Sequence, residues 1–183
     1  LSVNYTVGDT NLQACWWAID GGVNTTITCG QNASVNVSQG SHTVRVYAND
    51  TLGNLNGSSA VTFFADSIFP LISYESNADA CGINLSRNWI FVNVSVTEAN
   101  FANITFRLYN TTSNVNTTTF STQIFSMNFT GLNDGFYTFN VTVVDFASNS
   151  NITSTRGIRL DTTLPAVTIV QPQNSTYNIN TSL

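Results

Sequence analysis

The chain has 183 residues, 42% of them hydrophobic, enough to bury real cores in one large domain or two of ordinary size. Only 8% are Asp, Glu, Lys or Arg, none is lysine, and the net charge is -5; an average soluble domain carries about 25% charged residues. The five arginines are scattered, so no basic stripe neutralises phosphates and nucleic acid is not an expected partner; nor is there a run of 18 apolar residues to span a membrane.

Hydrophobic positions recur with period 2 almost throughout and no segment sustains a 3.6-residue pattern, which predicts an all-β protein. In chain order the first strand is "LSVNYTV" (1–7). "CWWAIDGGVNTTITC" (15–29) reads as a strand, a Gly-Gly turn and a returning strand, with the adjacent Trp16 and Trp17 on opposite faces. "HTVRVY" (42–47) leads to Asp50 before "TLGN", and "ADSIFP" (65–70) is a linker. "LISYES" (71–76), "IFVNVSV" (90–96) and "YTFNVTVV" (137–144) alternate in the same way, and Asp145 stands before "FASN". A second linker, "LDTTLP" (160–165), runs into "AVTIV".

The missing charge is replaced by Asn, Ser and Thr. Sixteen asparagines sit in the glycan-acceptor pattern Asn-x-Ser/Thr: Asn4, Asn24, Asn32, Asn36, Asn49, Asn56, Asn84, Asn93, Asn103, Asn110, Asn116, Asn128, Asn140, Asn151, Asn174 and Asn180. Chance placement would give roughly six. In a strand the Asn and the Ser/Thr share the wet face while the middle residue, such as Val94, Ile104 or Val141, points inward. Use of these acceptors places the chain outside the cytoplasm, with glycan as its solubilising coat.

The sequence repeats. "GSHTVRVYANDTLGN" (40–54) matches "GFYTFNVTVVDFASN" (135–149) without a gap at an offset of 95, and "VNYTVGDTN" (3–11) matches "VNVSVTEAN" (92–100) at an offset of 89. The expected organisation is a sandwich over 1–66 lacking its first strand, a full sandwich over 67–162, and in 163–183 the first strand of the next, or cyclically of the first, sandwich. "NINTSL" joined to "LSVNYTV" aligns on "NLSRNWIFVNVSV", with Ile179 on Leu85 and Tyr5 on Val94. Either the 183 residues are one period of a longer tandem chain, or the strand carrying Val167 and Ile169 inserts into the incomplete sandwich of another copy.

Strand number and turn spacing point to about seven strands per repeat, the pattern of immunoglobulin-like sandwiches. "CWWAIDGG…C…SQGSHTVRVYANDTLGN", "RNWIFVNVSVTEANFANITF…DGFYTFNVTVVDFASN" and "LDTTLP" together resemble the tandem immunoglobulin-like repeats of archaeal cell-surface and extracellular proteins. Such repeats often carry cysteines at the positions of Cys15 and Cys29, which implies a disulfide between them. Cys81 is the odd cysteine, left to cross-link a neighbour or to remain a buried thiol.

Asp50 and Asp145 are expected to accept turn N–H bonds. Calcium between repeats, through the linker residues Asp66 and Asp161, is not favoured, because the acids are not clustered as a six- to eight-oxygen site requires. No metal and no cofactor other than N-linked glycan is expected. The outward Trp packs on a glycan or a neighbouring module rather than on bound sugar. No catalytic set emerges, since His42 has no Ser–Asp context and no glycine-rich phosphate cradle exists. The reading is a non-enzymatic, N-glycosylated structural unit of an extracellular filament that partners itself head to tail; the alternative is a stalk or binding region of a cell-surface adhesin.

Overall fold

The computed structural model describes residues 1–176 and 178, and contains strands and turns but no helix among them. The chain forms two compact units. The first gathers Leu1–Pro70 with Glu98–Phe101 and Val144–Ser150; the second holds Leu71–Thr97, Ala102–Val143 and the chain from Asn151. The expected acceptor Asn180 and the aligned Ile179 lie outside the described residues.

The second unit shows what the sequence pattern builds when it is complete. Its strands are β8 (Leu71–Tyr74), β9 (Asn84–Leu85), β10 (Ile90–Thr97), β11 (Phe101–Asn110), β12 (Asn114–Phe120), β13 (Ser126–Phe129), β14 (Gly135–Asp145), β15 (Ser150–Ile152) and β16 (Arg156–Leu160), some of which run on into the first unit at their ends. One sheet has the order β13-β10-β8 and the other β12-β11-β14-β16-β9, with β15 also on β14. Alternation puts every second residue inside: Ile90, Val92 and Val94 from one sheet meet Ile104, Phe106, Phe139, Val141, Val143 and Ile158 from the other, all buried. The long β10 is paired on both sides, by β13 along Ile90–Asn93 and by β8 along Val94–Thr97. Tyr74 of β8 is held inside by an edge-on contact with Phe139, by Thr153 donating to its hydroxyl at 3.0 Å, and by Arg156 stacked 3.8 Å over its ring.

The strands of the first unit are β1 (Ser2–Val3), β2 (Leu12–Ile19), β3 (Thr25–Ile27), β4 (Ala33–Ser34), β5 (Gly40–Asp50), β6 (Leu55–Gly57) and β7 (Val61–Ala65). They form a β1-β4 pair and a sheet β3-β2-β5-β6, with β7 also on β5. The core is smaller: Val3, Ala33, Val35 and Val44 are buried, and Trp17, Ile19, Ile27, Val46 and Phe63 pack on it half-exposed. Trp17 faces this core while Trp16 stacks on Tyr47 at 6.0 Å on the opposite face, as adjacent strand residues must. The Tyr47 ring in turn covers Gly57 so closely that a Cβ there would lie 2.7 Å from Cδ1, which leaves glycine alone at that position.

Two local expectations change. The β2–β3 hairpin turns on Asp20 and Gly21, both at positive φ (53° and 67°), and not on the Gly-Gly pair; Gly22 closes the turn by donating its N–H to the Ile19 carbonyl at 2.8 Å. The first strand also stops at Val3, although "LSVNYTV" alternates up to residue 7. Its counterpart β10 continues over the equivalent positions because β8 pairs with them, and among the described residues no strand pairs with Tyr5–Gly8.

Candidate assembly site: an open groove in the first unit

Where the second unit has its first strand, the first unit has a groove of about 410 Å³ lined by Tyr5, Val7, Val46, Ala48, Leu55 and Ser58 among others. The repeat alignment places Val46 and Ala48 on Val141 and Val143, and Tyr5–Gly8 on the β8-paired Val94–Thr97. Val141 and Val143 are fully buried, whereas Val46 and Ala48 are half-exposed. Val61, equivalent to Arg156 beside the clamped Tyr74, is 58% exposed. The groove thus exposes Val46 and Ala48 of the sandwich face, and no strand among the described residues lies over it.

The segment aligned with β8 is Ala166–Ile169, following Pro165 as Leu71–Tyr74 follow the buried Pro70. The predicted insertion residues Val167 and Ile169 are 87% and 77% exposed, and Leu164 and Val170 are exposed beside them. A segment pairing with Tyr5–Gly8 in the register of β8 on β10 would set Ile169 opposite Tyr5 and Val167 opposite Val7, with both side chains toward the groove and Thr168 outward.

A hydrogen-bonded loop closes one end of the groove. Asp50 accepts from the N–H of Leu52 and Asn54 and from the Asn54 side-chain amide at 2.7–2.9 Å, the Asp9 carboxylate accepts from Asn11 N–H at 2.7 Å, and Thr51 N–H donates to the Asn11 carbonyl. The Asn54 side chain first, then its backbone N–H, holds the Asp50 carboxyl below the usual carboxylate range. The turn-capping role expected of Asp50 is therefore present, and Asp145 repeats it with Asn149 N–H and Nδ2 at 2.8 Å.

The expectation that the acids stay apart is overturned. Asp66, Glu98 and Asp145, remote in sequence, bring one carboxylate oxygen each within 4.8 Å of one another, a grouping able to hold a cation. These carboxylates accept bonds from amides: Asn100 Nδ2 donates to Asp66 Oδ2 at 2.8 Å, Ile68 N–H to Asp66 Oδ1 at 2.9 Å, and Asn100 N–H to Glu98 Oε1 at 2.7 Å. His42 likewise has the Ser–Asp surroundings its sequence neighbours do not show, with Asp20 Oδ2 2.7 Å from Nδ1 and Ser38 Oγ 3.4 Å from Nε2. The Ser38 carbonyl lies nearer, 2.9 Å from Nε2. Both ring nitrogens therefore face acceptors, and the Asp20 carboxylate, then this carbonyl, push the imidazole toward its charged form. Ser38 Oγ at 3.4 Å lies beyond the reach of about 2.6–3.2 Å typical of a nucleophile–base pair, and the nearer partner of Nε2 is the backbone carbonyl.

Cys15 and Cys29 are disulfide-bonded, with an S–S distance of 2.10 Å, across the Cys15–Ile27 register of β2 and β3. Cys81 is free and exposed, which corrects the buried-thiol alternative; its sulfur accepts Gly157 N–H at 3.3 Å. Of the described glycan acceptors none is buried: Asn49, Asn93, Asn103, Asn140 and Asn151 are half-exposed and the others exposed. Asn49 and Asn140 each keep a buried side-chain oxygen, while their amides donate to Gln13 and Thr155.

No family model matches the chain, and no curated protein matches it. Among solved structures it is similar to the fibronectin(III)-like modules of Clostridium thermocellum CbhA, with a TM-score of 0.51 and 9% identity over 87% of this chain and 83% of that one. It is also similar to the FN1–FN3 domains of chicken CNTN1, with a TM-score of 0.45 and 17% identity over 82% of this chain and 56% of that one. The fold is all-β and of the immunoglobulin and fibronectin-III kind.

Proposed function

We propose that the protein is a structural subunit of an N-glycosylated extracellular filament, in which Ala166–Val170 of one copy enter the open groove of another. The observation that carries this reading is the pairing of two incomplete surfaces in one sequence: a sandwich face with Val46 and Ala48 half-exposed, and an exposed segment, Ala166–Val170, in no strand of its own, whose alternation fits that face. A partner strand supplies backbone hydrogen bonds along Tyr5–Gly8 and seats alternate side chains. The groove and the strand are different surfaces of one chain, so the contact is heterologous, the kind that propagates as a fibre when the rotation between copies leaves it open. The same joint formed by covalent tandem repetition has the same chemistry. The disulfide, and a coat of Asn-linked sugar on a chain of which 8% is charged, suit an oxidising exterior.

Electron microscopy of the native material, combined with intact mass before and after glycan removal, tests this. Repeating density along a fibre is expected, with a 19.8 kDa polypeptide carrying sugar, or a multiple of it if the repeats are covalent. Isolated short particles with no sugar mass would rule it out.

A further inference from the structure

The first unit contains the same hydrogen-bonded arrangement twice, once filled and once open. In the filled copy Asn149 Nδ2 donates to the Asp66 and Ile68 carbonyls at 3.2 and 3.4 Å, and Asn100 Nδ2 holds the Asp66 carboxylate. The linker Asp66–Pro70 is thereby fixed against the loop Asp145–Asn149. The open copy repeats the receiving side residue by residue: Asn11 stands for Asn100, Asn54 for Asn149, Asp50 for Asp145 and Asp9 for Glu98. Even the backbone bonds match, Thr51 N–H to Asn11 O repeating Phe146 N–H to Asn100 O, and Gly53 N–H to Asp50 O repeating Ser148 N–H to Asp145 O. Asn11 and Asn54 are exposed, whereas Asn100 and Asn149 are half-buried.

The donated side is repeated too. Ser67 at the start of the filled linker is gripped by the Gln39 side chain, and Thr162 at the start of the second linker by Asp134 at 2.7–2.8 Å. Asp66 caps Ile68 N–H and Asp161 caps Thr163 N–H, each two residues on. Asp161 is exposed.

We infer that Asn11 and Asn54 form a socket for the linker Asp161–Pro165 of a second copy, with Asn11 donating to the Asp161 carboxylate and Asn54 to its carbonyl. This deepens the strand-insertion reading and rests on it, because Pro165 immediately precedes the inserting residues. In the filled copy the equivalent amides donate to all three gathered carboxylates, Asn100 to Glu98 and Asp66 and Asn149 to Asp145. The socket sets which copy end can dock: a strand not preceded by Asp at this spacing leaves the Asn11 amide without a carboxylate to receive its bond.

The test uses the full chain and follows, by sedimentation velocity over a concentration series, the concentration at which association begins. Asn11→Ala keeps the loop, whose bonds run through the Asn11 backbone, and is expected to raise that concentration about tenfold, the worth of one hydrogen bond to a charged group. Asp161→Ala is expected to do the same, and the double variant to be no worse than either alone, since both remove one contact. A rise below twofold in either variant, or losses that multiply in the double variant, overturns the socket. Val167→Ala/Ile169→Ala is run alongside. If that variant loses association while the socket variants keep it, strand insertion stands and the socket falls; if the unaltered chain never associates, both fall.

Discussion

Replacing Val167 and Ile169 together by alanine removes the apolar part of the inserted strand without touching the fold of the chain that carries it. Val167 and Ile169 are 87% and 77% exposed in the single chain, so the variant should melt at the temperature of the parent. On association each side chain is expected to reach the half-buried state of its counterparts Ile72 and Tyr74, or deeper. Val→Ala deletes two carbons and Ile→Ala three, and at about 0.8 kcal/mol per buried carbon the loss is about 4 kcal/mol. At about 1.4 kcal/mol per factor of ten, association weakens by about a thousandfold. The control is Thr168→Ala, whose side chain points away from the groove and whose loss should change association less than threefold. Sedimentation velocity reads all three proteins. An unchanged Val167→Ala/Ile169→Ala variant, or a Thr168→Ala variant equally impaired, would refute insertion in this register.

Three further outcomes concern the folded chain. Ser148 holds a positive φ of 71° where the equivalent Gly53 has 82°, so Ser148→Gly should stabilise by about 1 kcal/mol and raise the melting temperature by a few degrees. Breaking the Cys15–Cys29 bond, which spans a sequence separation of 14, should cost about 3 kcal/mol, seen as an earlier denaturant midpoint for Cys15→Ser/Cys29→Ser. Asp50 has its folded pKa depressed, so its stabilisation is complete above the unfolded value near 4 and fades as pH falls through the folded value; Asp50→Asn should flatten the acid limb of the stability profile, and an unaltered limb would deny the cap.

Much of this was legible in the chain because period 2 and internal repetition are both local signals. The alternation in "IFVNVSV" marks β10 and its buried Val92 and Val94 directly. The same alternation in "LSVNYTV" over-predicts β1, because a strand needs a neighbour to pair with and no local pattern reports whether one is present. The Gly-Gly pair looked like the hairpin turn, yet Asp20 takes the left-handed position and leaves Gly22 to close it, a choice tied to the Asp20 carboxylate reaching Thr43 N–H and His42. The approach of Asp20 to His42 and the Asp66–Glu98–Asp145 cluster are products of folding, joining residues remote in sequence, and spacing could not disclose either. Asn11 aligns with Asn100 and Asn54 with Asn149 in the sequence itself, but the grip of Asn100 and Asn149 on a linker exists only in the folded chain.

The central claim, that a strand from another copy covers the open groove, is tested most directly by hydrogen exchange at the backbone amides of Tyr5–Gly8, compared between dissociated and associated protein. The account predicts that these amides exchange freely in the single chain and become protected on association, to the degree seen for Val94–Thr97. Equal exchange in both states, with association itself intact, would contradict it.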